Sequence, residues 1–456
     1  MRATHERRLA ELRAKLNSLR AELDAWRDLT DKRPELKRHH SQIRLLDAML
    51  TALLAPVRKA VDATTAAASV LERGTAWEND ILAAHSIWEV FRSKYVLRQN
   101  ETFRDYLAAC DDLAWACYSP ALKRFAPNAL KEPPLVYLSA TWSPFAQSRD
   151  TNFQNEVRRS TDGMKDLRGD AFEKVLRKLP IPLVSLPWYQ AFHLPGAIII
   201  AHEVGHLVER DFALRADLSA ALDRAQLDYG DAWNSWAPEI FADVYGTLAM
   251  GPAFVGALID LLVTSVDTVA QERSLEGTHP PRALRVELLL NVLDKCGYSA
   301  DAARLRASWQ ATYSANNAMS DVAQDCEEVA KAVLNGPYRG AKLMDVISLT
   351  PNKTLPKLRL FSGQGQTAEL QAYGDIDPRY LFTVAQMLHE DPVPQQKPDA
   401  FKLLVAQALR RGTDQYRNRG EPVANRAQLD VELATREAQA TAEAEDLRSL
   451  LASLST

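Results

Sequence analysis

The sequence predicts a mainly helical protein with a small β-sheet, an α+β arrangement, on three observations. Apolar residues recur at helical spacing near both ends and through most of the second half. Two short apolar runs bounded by proline sit in the middle. The composition, 46% hydrophobic and 25% charged with 18 Gly in 456 residues, supplies an ordinary globular core and carries no disordered, collagenous or disulfide-dense bias.

The first helix is expected from Leu9, Leu12, Leu16, Leu19, Leu23 and Trp26, whose alternating spacings of three and four place them on one stripe. Arg33-Pro34 ends it. Ile43, Leu46, Leu50, Leu53, Leu54 and Val57 then form the returning arm of a helical hairpin. Helical pattern runs on through Trp88, Val90, Phe91 and Tyr95 to about Leu122, so residues 1–125 read as an all-helical region, either an interaction arm or a layer packed on the rest.

Leu135 to Ala140 and Ile181 to Leu186 read as strands, since proline next to an apolar run suits a strand end or a sheet edge. Asn155 to Leu179 reads as a charged helix and Ser362 to Asp377 as a loop. From Gly196 helices dominate. Residues 126–300 are expected to form a catalytic core, 301–420 a mostly helical region, and 421–456 an amphipathic helix with Leu433, Ala440, Leu447 and Leu454 seven apart, free to pair with the first helix.

The charges exclude some function classes. With 55 Lys+Arg against 59 Asp+Glu, the net charge of -4 gives no global attraction to nucleic acid or an acidic lipid surface. The four cysteines contain no CxxC pair and read as reduced, buried thiols of a cytoplasmic protein, and the charged N-terminus offers no secretory signal. Thr247 to Val266 has the length of a membrane span. It carries Asp260 and an early Gly251-Pro252, and is therefore read as a buried helix of a globular core.

Chemistry concentrates at His202-Glu203-Val204-Gly205-His206, an HExxH inside a segment flanked by Ile198, Ile199, Ile200, Leu207 and Val208. Residues i and i+4 share a helix face, so His202 and His206 can direct imidazole nitrogens at one Zn²⁺. Glu203 lies on the open side and can hold the attacking water. Two imidazoles in apolar surroundings want partners. Glu239, in the next helix, would complete a His₂Glu set. Asp243, one turn further, would accept the free ring N–H of a ligating histidine.

HExxH followed by Glu239-Ile240-Phe241-Ala242-Asp243 resembles the gluzincin pattern, HExxH then ExxxD. A third block, Thr278-His279-Pro280-Pro281-Arg282-Ala283-Leu284-Arg285-Val286, resembles an element of the CAAX prenyl endopeptidase and heat-shock membrane protease family. The resemblance covers residues 195–290. It implies a zincin-like catalytic core holding one Zn²⁺ per chain, here without the family's several transmembrane helices and with helical extensions at both ends.

The activity expected is zinc-dependent endopeptidase cleavage of a protein or peptide, with Glu203 as general base. Oxyanion stabilisation falls to His279, Arg282, Arg285 or Tyr245, with His279 first and Arg285 more naturally an ion-pair partner of a core carboxylate. The substrate strand is expected to add to Leu183, Val184, Ser185 and Leu186, or else to Leu135–Ser139. Trp233 and Trp236 either line a pocket or anchor their loop. Partners are expected at the terminal helices, through another protein or self-association. The competing function is a helical scaffold with a structural or degenerate zinc site, to which Glu203 would be useless.

Overall fold

The computed structural model describes residues 3–129, 131–140, 145–147, 181–313, 320–350, 377–390, 431 and 434–444. Helix α1 (Thr4–Lys32) and α2 (His40–Ala63) form the expected hairpin around a 3-10 turn at Pro34–His39. Helix α3 (Ala67–Val96) covers the pair. All six stripe residues of α1, Leu9 to Trp26, are buried in this bundle. The stripe is thus covered within the chain and is a packed layer, not an exposed arm. Asp47 of α2 ties the layer together, accepting from Arg20 Nη1 at 2.6 Å and Arg27 Nη1 at 2.9 Å.

Helix α4 (Glu101–Phe125) leaves the bundle and packs with the helices of the second core. The sheet lies between the two cores. Its strands are β1 (Leu135–Ser139), β2 (Phe145–Gln147) and β3 (Leu183–Pro187), in the order β1-β3-β2. Strand β3 is parallel to β1, with Val136 opposite Val184, and antiparallel to β2, with Ala146 opposite Val184. The period-2 alternation divides the apolar runs between two faces. Leu135, Tyr137 and Leu183 join the N-terminal bundle, while Val136, Leu138, Val184 and Leu186 join the second core.

This order corrects the expected substrate strand. Leu183, Val184, Ser185 and Leu186 belong to the central strand, whose backbone is paired on both sides. The alternative, β1, is closed on its outer side by buried charges. Val136 N donates to Asp111 Oδ1 at 2.9 Å, and Arg98 Nη2 donates to Val136 O at 2.6 Å while forking onto Asp111. Among the described residues the remaining sheet edge is the outer side of β2.

The second core continues through α5 (Ile200–Asp211), α6 (Arg215–Arg224), α7 (Ala237–Met250), α8 (Pro252–Leu262), α9 (Arg282–Lys295), α10 (Ser299–Thr312), α11 (Cys326–Asn335) and α12 (Pro378–Glu390). Buried residues from Tyr106 to Ala385 share one apolar cluster, so residues beyond 300 pack on the same core as α5 and α7. The long apolar stretch 247–266 is not one helix. Gly251, at φ 63°, turns the chain between α7 and α8, a conformation open to glycine and costly for a side chain. Among the described residues no helix is long and apolar enough to cross a membrane.

Of the last amphipathic helix, residues 434–444 are described. Ala440 and Ala444 enter the N-terminal core, Glu437 pairs with Arg44 of α2 at 2.6 Å, and Arg436 pairs with buried Glu132 at 2.5 Å. Its ionic partners are therefore on α2 and the loop before β1. Leu433, Leu447 and Leu454, the expected helix at 155–179 and the loop at 362–376 lie outside the described residues. All four cysteines are free, three of them fully buried.

Candidate metal centre

Helices α5 and α7 pack directly against each other, and Gly205 is what lets them approach. A Cβ at 205 would stand 2.7 Å from Ala242 Cα, closer than real side chains come, and a tight 3.1 Å from Ala242 O. The glycine inside HExxH thus brings the two histidines onto the carboxylates of the ExxxD helix. Gly205→Ala is expected to cost about 1–3 kcal/mol by overpacking and to reduce bound metal. Denaturant unfolding with metal analysis checks this, and an unchanged midpoint with unchanged metal content would contradict the close approach.

His202, His206 and Glu239 converge. The two Nε2 atoms are 3.1 Å apart, His202 Nε2 lies 3.3 Å from Glu239 Oε2, and His206 Nε2 lies 3.4 Å from Glu239 Oε1. Atoms held about 2.0–2.1 Å from one tetrahedral Zn²⁺ stand about 3.3–3.4 Å apart, close to the separations found here, with each histidine nearest a different oxygen of Glu239. Their ligand atoms all fall within 4.8 Å of one another. The histidines are buried, 5% and 8% exposed. His206 Nδ1 is buried without a hydrogen-bond partner.

Behind the triangle, His202 Nδ1 donates to Asp243 Oδ1 at 2.8 Å, which fixes the tautomer and leaves the Nε2 lone pair facing Glu239 and His206. Asp243 is itself held by Arg285, with Nε to Oδ2 and Nη2 to Oδ1 both at 2.8 Å. Asp243 thus contacts His202, and Arg285 pairs with a core carboxylate. The Thr278–Val286 block reaches both carboxylates of the ExxxD helix: Arg285 meets Asp243, and His279 Nε2, on a half-exposed ring, lies 3.2 Å from Glu239 Oε2.

The other oxyanion candidates are elsewhere. Tyr245 is fully buried and donates its hydroxyl to Cys117 O at 2.7 Å. Arg282 pairs with Glu272. Trp233 and Trp236 are fully buried and meet edge to face, and Trp233 Nε1 donates to Asp325 Oδ2 at 3.0 Å, so they anchor their loop and line no pocket. Glu203, one position after His202 on α5, is 4% exposed.

The electrostatics favour a cation at the centre of the triangle. Burial pushes the Glu239 carboxyl up, but His202, His206 and His279 outweigh it and hold it far below the usual carboxylate range. Burial likewise pushes Asp243 up, and Arg285 with His202 brings it down to about 2. Burial alone would lower His202, yet hydrogen bonds to Asp243 and Glu239 and the charge of Glu203 raise it to about 10.

In the metal-free protein, then, a proton on His202 Nε2 stands where a metal would. A raised pKa means that His202 contributes stability below about 6.5 and loses it as pH rises toward about 10. Zinc must displace that proton. Its apparent affinity is therefore expected to keep rising with pH above the ordinary imidazole range, and calorimetry in buffers of different ionisation enthalpy should record proton release at pH 8. A plateau from pH 7 upward would contradict the shift.

Sequence reasoning missed two features of the centre, the role of Gly205 and the β2 edge beside α5. The glycine is visible in the motif, but its need becomes apparent only once α7 is known to cross at that point. Compared with models of protein families, with curated proteins and with solved structures, the chain has no match.

Proposed function

We propose that the chain is a zinc-dependent endopeptidase. The observation that carries this reading is the convergence of His202, His206 and Glu239 at tetrahedral spacing with Asp243 orienting His202 from behind. These three residues would hold one Zn²⁺, which supplies Lewis acidity, bringing the pKa of water to around 7 and polarising a carbonyl.

The chain's own residues do the rest. Glu203 follows His202 on α5, and its carboxylate takes the proton of the attacking water and passes it to the leaving amine. His279, at the rim against Glu239, offers a ring N–H to the oxyanion that develops on the carbonyl oxygen, while its half-exposed ring leaves room for substrate. Substrate backbone adds to the outer side of β2, the sheet edge next to α5, in place of the central strand expected from sequence. Such main-chain pairing recognises a peptide of varied sequence, and side-chain pockets confer the specificity.

Glu239→Ala is expected to lose the zinc equivalent held at this centre after dialysis and to abolish cleavage with it. Full zinc occupancy in that variant would remove Glu239 as a ligand. The competing reading, a scaffold with a structural zinc site, is addressed by Glu203, since a structural site would hold metal equally well without a carboxylate there.

A further inference from the structure

Away from this centre, a second group of metal-ligating side chains meets at the junction of three elements. His193 lies in the turn before α5, His389 in the last turn of α12, and Asp260 near the end of α8. The His193 and His389 rings are 5.2 Å apart between centroids and cross at 77°. The ligating pair His202 and His206 has nearly the same relation, 4.7 Å and 89°. Asp260 Oδ2 lies 3.9 Å from His389 Nε2, and both side chains are half exposed.

The carboxylate is positioned from the interior. Gln386, one turn before His389 and fully buried, donates from Nε2 to Asp260 Oδ2 at 3.1 Å and to Glu390 Oε1 at 3.0 Å. The nearby cation Arg304 is taken up by Glu390 at 2.7 Å, so it leaves Asp260 available. Buried glutamine holding an exposed carboxylate beside two exposed imidazoles is an arrangement that apolar packing does not require.

We propose that His193, His389 and Asp260 form a second binding site for a divalent transition-metal ion, one that staples the C-terminal end of α12 to the turn leading into the HExxH helix. Two imidazoles and one carboxylate suit Zn²⁺, Co²⁺ or Ni²⁺ over Ca²⁺ or Mg²⁺. All three side chains are exposed, and binding one ion at about 2.0–2.1 Å requires them to turn toward one another from the separations seen here. The ion would stabilise the fold by linkage, since the three ligands come together only when α8, α12 and the turn are in place.

Equilibrium dialysis of the full chain against micromolar Zn²⁺, with metal analysis, tests the site. Two equivalents are expected in wild type and one in each of His389→Ala and His193→Ala, whose exposed positions spare the core. Glu239→Ala is expected to retain the equivalent that His389→Ala loses. One equivalent in wild type that survives His389→Ala overturns the second site, as do two equivalents in both histidine variants. One equivalent lost by His389→Ala but kept by Glu239→Ala leaves the second site standing and overturns the first, so the two proposals fail separately.

Discussion

Glu203→Gln is expected to retain the zinc equivalent of the His202–His206–Glu239 centre and to lose hydrolysis by about 10²–10⁴-fold, the range that a positioned proton-transfer group contributes. The side chain keeps its size and hydrogen-bonding capacity on a buried helix face, so folding and metal binding persist while the base is gone. Peptide cleavage measured beside metal content separates the two effects. Activity equal to wild type would remove Glu203 from the reaction, and loss of zinc in this variant would show that its role is to build the site.

Asp243→Ala is expected to have the largest effect on the fold. Asp243 is 1% exposed and is the bidentate partner of Arg285, itself 8% exposed. Removing one partner of a buried pair leaves an uncompensated charge and costs about 3–5 kcal/mol. The same change frees His202 Nδ1, and loss of such an orienting partner lowers metal affinity by about 10–100-fold. The double variant Asp243→Asn with Arg285→Met separates the two roles. Stability is expected to recover in large part because no charge is stranded, whereas zinc affinity stays low because the amide holds the imidazole less firmly. Denaturant unfolding and zinc titration check both, and wild-type affinity in the double variant would contradict the orienting role.

The cluster of His202, His206 and Glu239 was largely legible in the sequence because helix periodicity is a local rule. One helix face fixes His202 and His206, and the next amphipathic helix offers Glu239 and Asp243 one turn apart. The N-terminal stripe was legible for the same reason, and only its covering by α2 and α3 required the fold. Gly251-Pro252 already marked the break in the 247–266 stretch, but its apolar content suggested continuity, and the positive φ of Gly251 decided it.

The sheet was less legible. The runs at 135 and 183 were recognisable as strands, yet proline at 180, 182 and 187 suggested an edge for β3. Pro182 precedes the strand and Pro187 ends it, which leaves Leu183 to Ser185 free to pair on both sides. Strand β2 is three residues long, too short for alternation to reveal it, and with β2 unseen the order of the sheet could not be read. Helical ligand sets are local in sequence, whereas strand order depends on pairings across dozens of residues.

The central claim is that His202, His206, Glu239 and Glu203 together form a proteolytic site. Incubating the zinc-loaded chain with a complex protein mixture and reading new termini by mass spectrometry tests it most directly. New termini are expected with wild type and absent with chelator or with Glu203→Gln. Identical termini in all three samples, or none with a wild type shown to hold its zinc at this centre, would contradict it.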